Sequence, residues 1–290
     1  MSANRALRRG EPIAPERRHT LHFLDQVRAF APVHLDTEVD MTTLLEHRAR
    51  AAARGRRYSH VSYVLHTAAR VLVAHPEANA AVTGRLRPRV TRYPTAVGKV
   101  TLDRVLGGRR VVLAAVLPGL DTAGLDTIQD RLDHYRDGDA ETMPEFAPVR
   151  ALHRAPWLTG LVRFRRAARD LAARPFITGT FAVTSLGHRP VDGFHSVGGT
   201  TVTLGVGRVV DRPVAREGHV VVAPVMRLNL SFDHRVIDGA EAADILADIK
   251  DGLETFRTDL PDLPESREED ETPAAAHDAL RAPAAVPDTP

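Results

Sequence analysis

The sequence contains no cysteine, and this absence excludes several chemistries at once. Disulfides, thiolate-ligated zinc, iron–sulfur clusters and a cysteine nucleophile all need a thiol. Apolar runs are short as well: the longest, residues 111–117, falls far below the roughly 20 residues needed to span a bilayer. The basic N-terminus has no apolar stretch of the secretory type. We therefore expect a cytoplasmic protein with no membrane segment and no metal centre.

Aromatic residues make up only 5% of the 290 residues, and all but two of the 39 basic residues are arginine. Residues 261–290 hold eight acidic residues and two arginines, a charge of −6; because the whole chain carries +2, the rest carries +8. A basic body of this kind suits anionic ligands such as coenzyme phosphates or an acidic carrier protein. Nucleic acid is not expected as a partner, because the sequence lacks a recognition helix, a zinc finger and the basic and aromatic pattern of single-strand binders.

Composition divides the chain into three parts. Residues 259–290 are rich in proline, alanine and acidic residues and lack apolar periodicity, so we expect a disordered tail. Residues 1–15 are similarly poor in apolar residues and predict a flexible N-terminus. Residues 16–258 are the expected folded domain, which is short enough to share one core.

Hydrophobic spacing and capping residues predict four helices and several strands. The helices are expected over about 41–54 after Asp40, about 60–75 after Ser59, from Asp238 onwards with Glu241 as a capping-box partner, and over 160–173. Strand-like runs occupy 109–117, 180–186, 200–207, 219–224 and 226–233. Early helices, late strands and a final helix favour a mixed α/β sandwich over a regular βαβ alternation.

The segment L-N-L-S-F-D-H-R-V-I-D-G, residues 228–239, carries the most chemical information. A strand leads into a turn with His234, and Asp238 follows at the start of a helix. Imidazole takes up protons near neutral pH, and a carboxylate with an arginine such as Arg235 can fix its tautomer or lock the turn. Two interpretations stay open on spacing alone: a catalytic pair, or a turn histidine beside an aspartate that caps a helix.

This segment closely resembles the C-terminal signature of the dihydrolipoyl acyltransferase component of 2-oxoacid dehydrogenase complexes. Residues 179–187, G-T-F-A-V-T-S-L-G, resemble that family's G-T-F-T-I-S-N-L-G. Residues 34–45 and 75–80 resemble its early strand–helix pair and its P-E-V-N-A segment. Residues 17–23 are similar to the N-terminal R-R-E-H-F of chloramphenicol acetyltransferase. The resemblance covers about 17–256 and implies a chloramphenicol acetyltransferase-like two-layer α/β sandwich with a mixed sheet.

The resemblance implies direct acyl transfer from a thioester to a hydroxyl or thiol. His234 falls on the family's general base, and Thr184 on the hydroxyl residue that donates a hydrogen bond to the oxyanion. Asp238 falls on the aspartate that holds the active-site loop through an arginine, for which Arg17 or Arg18 is the candidate partner. A homotrimer is implied as well, with His234 and the Thr184 hydroxyl supplied by neighbouring subunits.

Other interpretations of the same strand stay open beside the resemblance. Ser185 stands where the family has asparagine, and from the residues alone it is a turn residue. Thr184 is equally a β-branched residue that favours a strand. Residues 161–174 place several arginines on one predicted helix, which is either a solvated face or a surface for phosphates or an acidic carrier protein.

Four departures from the family argue against lipoamide as the acceptor. No lipoyl domain or lipoyl lysine precedes the core in this sequence, so no covalently bound lipoate is expected. The family's G-L-x-V-P-V segment is replaced by residues 109–120, and its N-P-P segment is absent near 196–201. Residues 142–157 have no family counterpart; they predict either a lid over a bulky acceptor or an ordinary surface loop.

Three functions follow from these observations. The first is an acetyl-CoA-dependent O-acyltransferase that acts on a hydroxyl of a natural-product intermediate, free or bound to a carrier protein. The hydroxymethyl group of a polyketide tetronate is the first acceptor considered. The second is a dihydrolipoamide acyltransferase core without a lipoyl domain. The third is a non-catalytic scaffold.

Overall fold

A computed structural model describes residues 12–84 and 86–256. Most of the expected flexible N-terminus and the whole expected acidic tail lie outside the described residues. Eight strands are present in this part of the chain: β1 (Pro32–Asp40), β2 (Ala80–Thr83), β3 (Arg89–Arg92), β4 (Gly98–Leu106), β5 (Arg109–Leu117), β6 (Phe181–Ser185), β7 (Val202–Arg216) and β8 (His219–Asp233). Strands β2 and β3 form a separate hairpin. The other six form one sheet in the order β1–β8–β7–β6–β4–β5.

The large sheet is mixed, since β6 runs parallel to both β4 and β7 while the remaining neighbours are antiparallel. Eight helices accompany it: α1 (Arg18–Val27), α2 (Thr42–Ala53), α3 (His60–Ala74), α4 (Leu125–Asp137), α5 (Ala147–Arg154), α6 (Trp157–Arg169), α7 (Pro175–Thr178) and α8 (Gly239–Glu254). Within residues 12–84 and 86–256, no helix combines the length and the apolar character needed to cross a membrane.

The main core lies between one face of the sheet and helices α2, α3, α4 and α8. Side chains alternate along each strand, so Val183, Leu204 and Leu230 point to the same face and are fully buried there. They share one cluster with Leu65 of α3 and Ile249 of α8. Each such side chain contributes roughly 1.5–3 kcal/mol when fully buried. The predicted α/β sandwich with a mixed sheet is confirmed.

The opposite face of the sheet carries polar residues and is crossed by α1 and by the irregular segment 186–201. The ammonium of Lys99 in β4 donates to the carbonyl of Gly198 and lies 4.9 Å from the centre of the Phe23 ring of α1. Burial lowers the pKa of Lys99 to about 8. This second face therefore joins α1 to the segment that precedes β7.

Two predicted helix starts differ in their outcome. Ser59 caps α3 as expected, since its hydroxyl accepts the backbone N–H of Ser62 at 3.2 Å. Asp238 stands at the N-cap of α8, but its side chain makes no capping hydrogen bond. The expected capping box is wrong because Glu241 instead lies 2.8 Å from the Nδ1 of His75.

The two strands expected over 219–224 and 226–233 are one continuous strand, β8. Pro224 does not interrupt it, although proline lacks the N–H that a central strand needs. The last pair between β1 and β8 joins Asp40 to Val225, so β8 has no strand neighbour on that side at Pro224. Proline is tolerated at such an edge position.

Residues 142–157 are helical for much of their length, so the expectation of an ordinary surface loop is wrong. A 3-10 turn at Pro144–Phe146 leads into α5, and Phe146 is fully buried. It packs in a second, smaller core with Leu106 and Leu113 of the β4–β5 hairpin. This apolar anchor explains why the segment folds against the sheet.

His75 joins the end of α3 to α8 and makes stability depend on pH. Its ring nitrogens lie 2.8 Å from Glu241 and 2.9 Å from Asp248. Burial alone lowers the pKa of His75, but the hydrogen bonds to Asp248 and Glu241 outweigh burial, so the pKa is raised. The charged imidazole therefore stabilises the fold below its unfolded pKa, and this contribution is lost as pH rises through the folded pKa.

We predict that His75→Gln destabilises the protein near pH 6 by up to about 1 kcal/mol, the range of partly exposed ion pairs. The difference from wild type should shrink toward about pH 8.5, where imidazole is neutral. Urea unfolding at both pH values measures the effect. In a Glu241→Gln, Asp248→Asn background only burial acts on the His75 pKa, so His75→Gln should no longer destabilise the protein more at pH 6 than at pH 8.5. A difference that grows with pH would contradict the assignment.

Candidate active site

The carboxylate and the backbone N–H of Asp233 fix the turn that follows β8. This carboxylate is only 2% exposed, and its Oδ1 accepts the backbone N–H groups of Ala31 at 3.3 Å and Arg235 at 3.2 Å. The Asp233 N–H donates to the Thr201 carbonyl at 2.9 Å, and the His234 N–H donates to the Ala31 carbonyl at 2.9 Å. The turn is thereby joined to the α1–β1 connection and to the start of β7.

Arg235 completes this arrangement. Its Nε lies 2.8 Å from Oδ1 of Asp233 and its Nη2 lies 2.5 Å from Oδ2, a bidentate pair. The guanidinium carbon also lies 4.9 Å from the centre of the Phe30 ring. Bidentate arginine–carboxylate pairs combine strength with a fixed geometry. The turn that carries His234 therefore has a defined conformation.

The His234 side chain is 44% exposed and its ring lies 5.4 Å from that of Phe232. Its Nδ1 lies 3.4 Å from Oδ1 of Asp238, whose side chain is 89% exposed. Since Nδ1 faces the carboxylate, Nε2 is the nitrogen left free for a reacting group. The structure thus brings His234 and Asp238 together, as the spacing predicts.

The arginine pair expected at Asp238 is not formed in the described chain. Arg18 donates through Nη1 to the carbonyls of His153 at 2.8 Å and Ala155 at 2.7 Å, so it binds the end of α5 instead. Arg17 ends the 3-10 turn before α1 and makes no contact with Asp238. Within one chain Arg18 therefore does not pair with Asp238, because carbonyls at the end of α5 occupy its guanidinium.

Thr184 is half-buried in β6, far from His234 of the same chain. It pairs with Gly205 of β7, which pairs with Asn229 of β8, five residues before His234. At the rise of a strand this separation is about 17 Å along the sheet, and two strand spacings add about 10 Å across it. One chain alone therefore does not place the Thr184 hydroxyl and the imidazole on one small substrate.

The irregular segment 186–201 lies beside Thr184. Ser185 is the last residue of β6, and its hydroxyl accepts the N–H of Gly187 at 3.4 Å. Asp192 pairs with Arg208 at 2.5 Å. A Cβ at Gly205 would collide with the carbonyl oxygen of Phe194. The segment therefore packs closely against the sheet at the level of Thr184.

Two further polar features near the turn were not predicted. Asp233 stands within the sequence motif, and its signal was a carboxylate at the last position of a buried strand, where it must be paired. On the second face, His34 Nδ1 lies 2.8 Å from the Ser231 hydroxyl and its ring lies 4.9 Å from that of His195. No sequence signal indicated this pair of imidazoles, because it depends on the path of segment 186–201.

Exposed arginines are candidate groups for binding a cofactor phosphate. Across residues 12–84 and 86–256, no three histidine or acidic side chains are arranged to hold a metal ion. On α6, Arg165 pairs with Asp25 at 2.7 Å, whereas Arg163, Arg166 and Arg169 are exposed and make no ion pair with the described residues. Both interpretations of this basic helix, a solvated face and a surface for phosphates or an acidic protein, stay open.

Comparisons with known sequences agree with this geometry. Residues 162–260 match the family of 2-oxoacid dehydrogenases acyltransferase (catalytic domain). The chain is 26% identical over 224 residues to the dihydrolipoyllysine-residue acetyltransferase component of the pyruvate dehydrogenase complex of Bacillus subtilis, which covers 75% of this chain and 43% of that protein. A stretch of 54 residues is 52% identical to the succinyltransferase component of the 2-oxoglutarate dehydrogenase complex of Pseudomonas aeruginosa, covering 19% and 13% of the two chains.

Solved structures show the same fold. The cubic core of the pyruvate dehydrogenase multienzyme complex aligns with a TM-score of 0.67 at 19% identity, covering 88% of this chain and 95% of that one. A truncated catalytic core of the 2-oxoacid dehydrogenase complex of Thermoplasma acidophilum aligns with a TM-score of 0.60 at 19% identity, covering 87% and 100%.

The described chain therefore has the fold of a 2-oxoacid dehydrogenase acyltransferase catalytic core. Its residues 162–260, which include Thr184, His234 and Asp238, relate it to that catalytic-domain family by sequence. The chain spans 43% of the length of the Bacillus subtilis relative that it matches.

Proposed function

We propose that this protein transfers an acyl group from a coenzyme A thioester directly to an acceptor, in a site completed by two copies of the chain. The observation that carries the proposal is the His234 turn: a half-exposed imidazole with Nε2 free, on a loop held by a buried carboxylate. Imidazole is suited to take and return a proton near neutral pH, as acyl transfer requires.

The proposed reaction needs only side chains of this protein and its two substrates. Nε2 of His234 takes the proton of the acceptor hydroxyl or thiol as that atom attacks the thioester carbonyl. The carbonyl oxygen becomes an oxyanion, to which the Thr184 hydroxyl donates a hydrogen bond. Collapse of the tetrahedral intermediate breaks the carbon–sulfur bond, and His234 returns the proton to the departing coenzyme A thiolate.

The separation of the two groups supports a site between subunits. His234 follows the C-terminal end of β8, whereas Thr184 of β6 is level with Asn229, five residues earlier in β8. The two groups therefore meet at one substrate only if they come from different copies. A cyclic assembly repeats the same contact, and a closed ring makes every such site equivalent. We propose a homotrimer, as the resemblance implies.

The acceptor proposed first is a hydroxyl of a natural-product intermediate, such as the hydroxymethyl group of a tetronate, with acetyl-CoA as donor. The departures at 109–120, 142–157 and 196–201 support an acceptor other than lipoamide. The exposed arginines of α6 would suit an acceptor carried by an acidic protein. A second candidate, dihydrolipoamide, is supported by relatives whose names are dihydrolipoyllysine-residue acyltransferases. A purely structural scaffold is the third.

A direct test pairs acetyl-CoA with a hydroxymethyl tetronate and, separately, with free dihydrolipoamide. We expect mass spectrometry to show one added acetyl group on the tetronate with wild type and none with His234→Ala. His219→Ala, an exposed histidine at the start of β8, is the control and should retain activity. Transfer to dihydrolipoamide alone would favour the second candidate. Transfer to neither acceptor would favour a scaffold.

Removing the Thr184 hydroxyl tests the role proposed for it. Thr184→Ala should lower kcat by about 10²–10³, the cost of losing one oxyanion donor. Thr184→Ser keeps the hydroxyl and should retain most of the rate. Steady-state kinetics with acetyl-CoA measures both variants. An effect of Thr184→Ala below about threefold would remove the hydroxyl from the mechanism, because one oxyanion donor contributes far more.

The subunit arrangement predicts complementation between two inactive variants. When His234→Ala and Thr184→Ala chains are unfolded and refolded together in equal amounts, about a quarter of the sites in a closed ring should combine an intact imidazole with an intact hydroxyl. We therefore expect activity to return in the mixture. Each variant refolded alone is the control. Absence of any recovery would place both groups in one subunit's site or remove one of them from the mechanism.

A further inference from the structure

We infer that Asp233 is the positioning residue for His234, and that Asp238 does not hold the turn. This assignment rests on the proposed function and differs from the role that the family resemblance gives to the second aspartate of D-H-R-V-I-D. The two carboxylates have opposite surroundings. Asp233 is 2% exposed and paired, whereas the side chain of Asp238 is 89% exposed.

The contacts of Asp233 tie the turn to two other parts of the fold. Its carboxylate accepts N–H groups from Ala31 and Arg235, and its own backbone N–H donates to Thr201. The neighbouring His234 N–H binds the Ala31 carbonyl at 2.9 Å. The imidazole is therefore attached to a backbone that is fixed on both sides.

Arg235 extends this support to α1. Its guanidinium forms the bidentate pair with Asp233 and lies over the Phe30 ring, three residues after the end of α1. Without the Asp233 carboxylate, the part-buried N–H groups of Ala31 and Arg235 and part of a guanidinium would lose their acceptor, which has a cost in free energy. The turn would then lose the hydrogen bonds that fix its conformation.

Asp238 lacks the contacts that such a role needs. In the described chain the only basic side chain within 4 Å of its carboxylate is His234, at 3.4 Å, and it makes no capping bond at the start of α8. The arginine expected to pair with it, Arg18, binds carbonyls at the end of α5. Asp238 is placed to act on the imidazole itself and not on the backbone of the turn.

The test compares Asp233→Asn with Asp238→Asn. A matched control is Asp103→Asn, which removes an exposed bidentate pair with Arg110 on the β4–β5 hairpin. Hydrogen exchange of the backbone amides of residues 233–237 reports the order of the turn. We expect faster exchange there in Asp233→Asn and wild-type exchange in Asp238→Asn and Asp103→Asn.

Kinetics provide the second measurement. Displacement of a catalytic group by about 1 Å costs about 10² in rate, so Asp233→Asn should lower kcat by that factor. The KM for acetyl-CoA should change little, because a positioning residue does not bind the donor. Asp238→Asn should lower kcat by much less than Asp233→Asn, and Asp103→Asn should retain the wild-type kinetics.

Other outcomes overturn the assignment. It is wrong if Asp238→Asn speeds exchange in the turn, or if Asp233→Asn leaves both exchange and kcat unchanged. If Asp233→Asn does not fold, Arg235→Lys decides, since lysine keeps the charge but not the bidentate geometry; wild-type exchange in that variant would overturn the inference. If wild type transfers no acyl group, the proposed function fails, and the exchange data still decide whether Asp233 holds the turn.

Discussion

The pairing register of β6, β7 and β8 sets the distance between Thr184 and His234, on which the proposed chemistry depends. Residues Thr184, Gly205 and Asn229 lie level across β6, β7 and β8, so every other distance in the sheet follows from the rise of the strands. Because β6 and β8 run in opposite directions, Thr184 lies level with Asn229, five residues along the sheet from His234. No rotation of a side chain closes a gap of about 17 Å. The proposed site therefore needs two copies of the chain, one supplying the imidazole and the other the hydroxyl.

The irregular segment 186–201 lies on the polar face of the sheet, where the described chain has no second layer of strands to support it. Two buried cations do this at the end of segment 186–201. Lys99 binds the carbonyl of Gly198, and Arg174 donates to the carbonyl of Gly199 at 2.9 Å. Neither cation has a carboxylate partner in the described chain, so carbonyl dipoles compensate their charge. This arrangement fixes the backbone just before β7, where Thr201 accepts a bond from the His234 turn.

The sequence predicts those parts of the fold that depend on local periodicity and capping. Helix α3 begins after Ser59, and β5 has the predicted bounds, because both are set by contiguous patterns. The continuity of β8 through Pro224 is not predictable in this way, since it depends on where the neighbouring strand ends. The same holds for the site. His234 and Asp238 are adjacent as their spacing implies, but the partner of an arginine depends on the tertiary structure.

Helix α1 connects the end of α5 to the turn that carries His234. On its first turns, Arg18 binds the end of α5, and Nδ1 of His19 lies 2.9 Å from Nε2 of His153. Beyond its other end, Ala31 exchanges hydrogen bonds with the His234 turn. The ten residues of α1 therefore join the end of α5 to the turn that carries the imidazole. Helix α6 packs along the same helix, since Arg165 pairs with Asp25 at 2.7 Å.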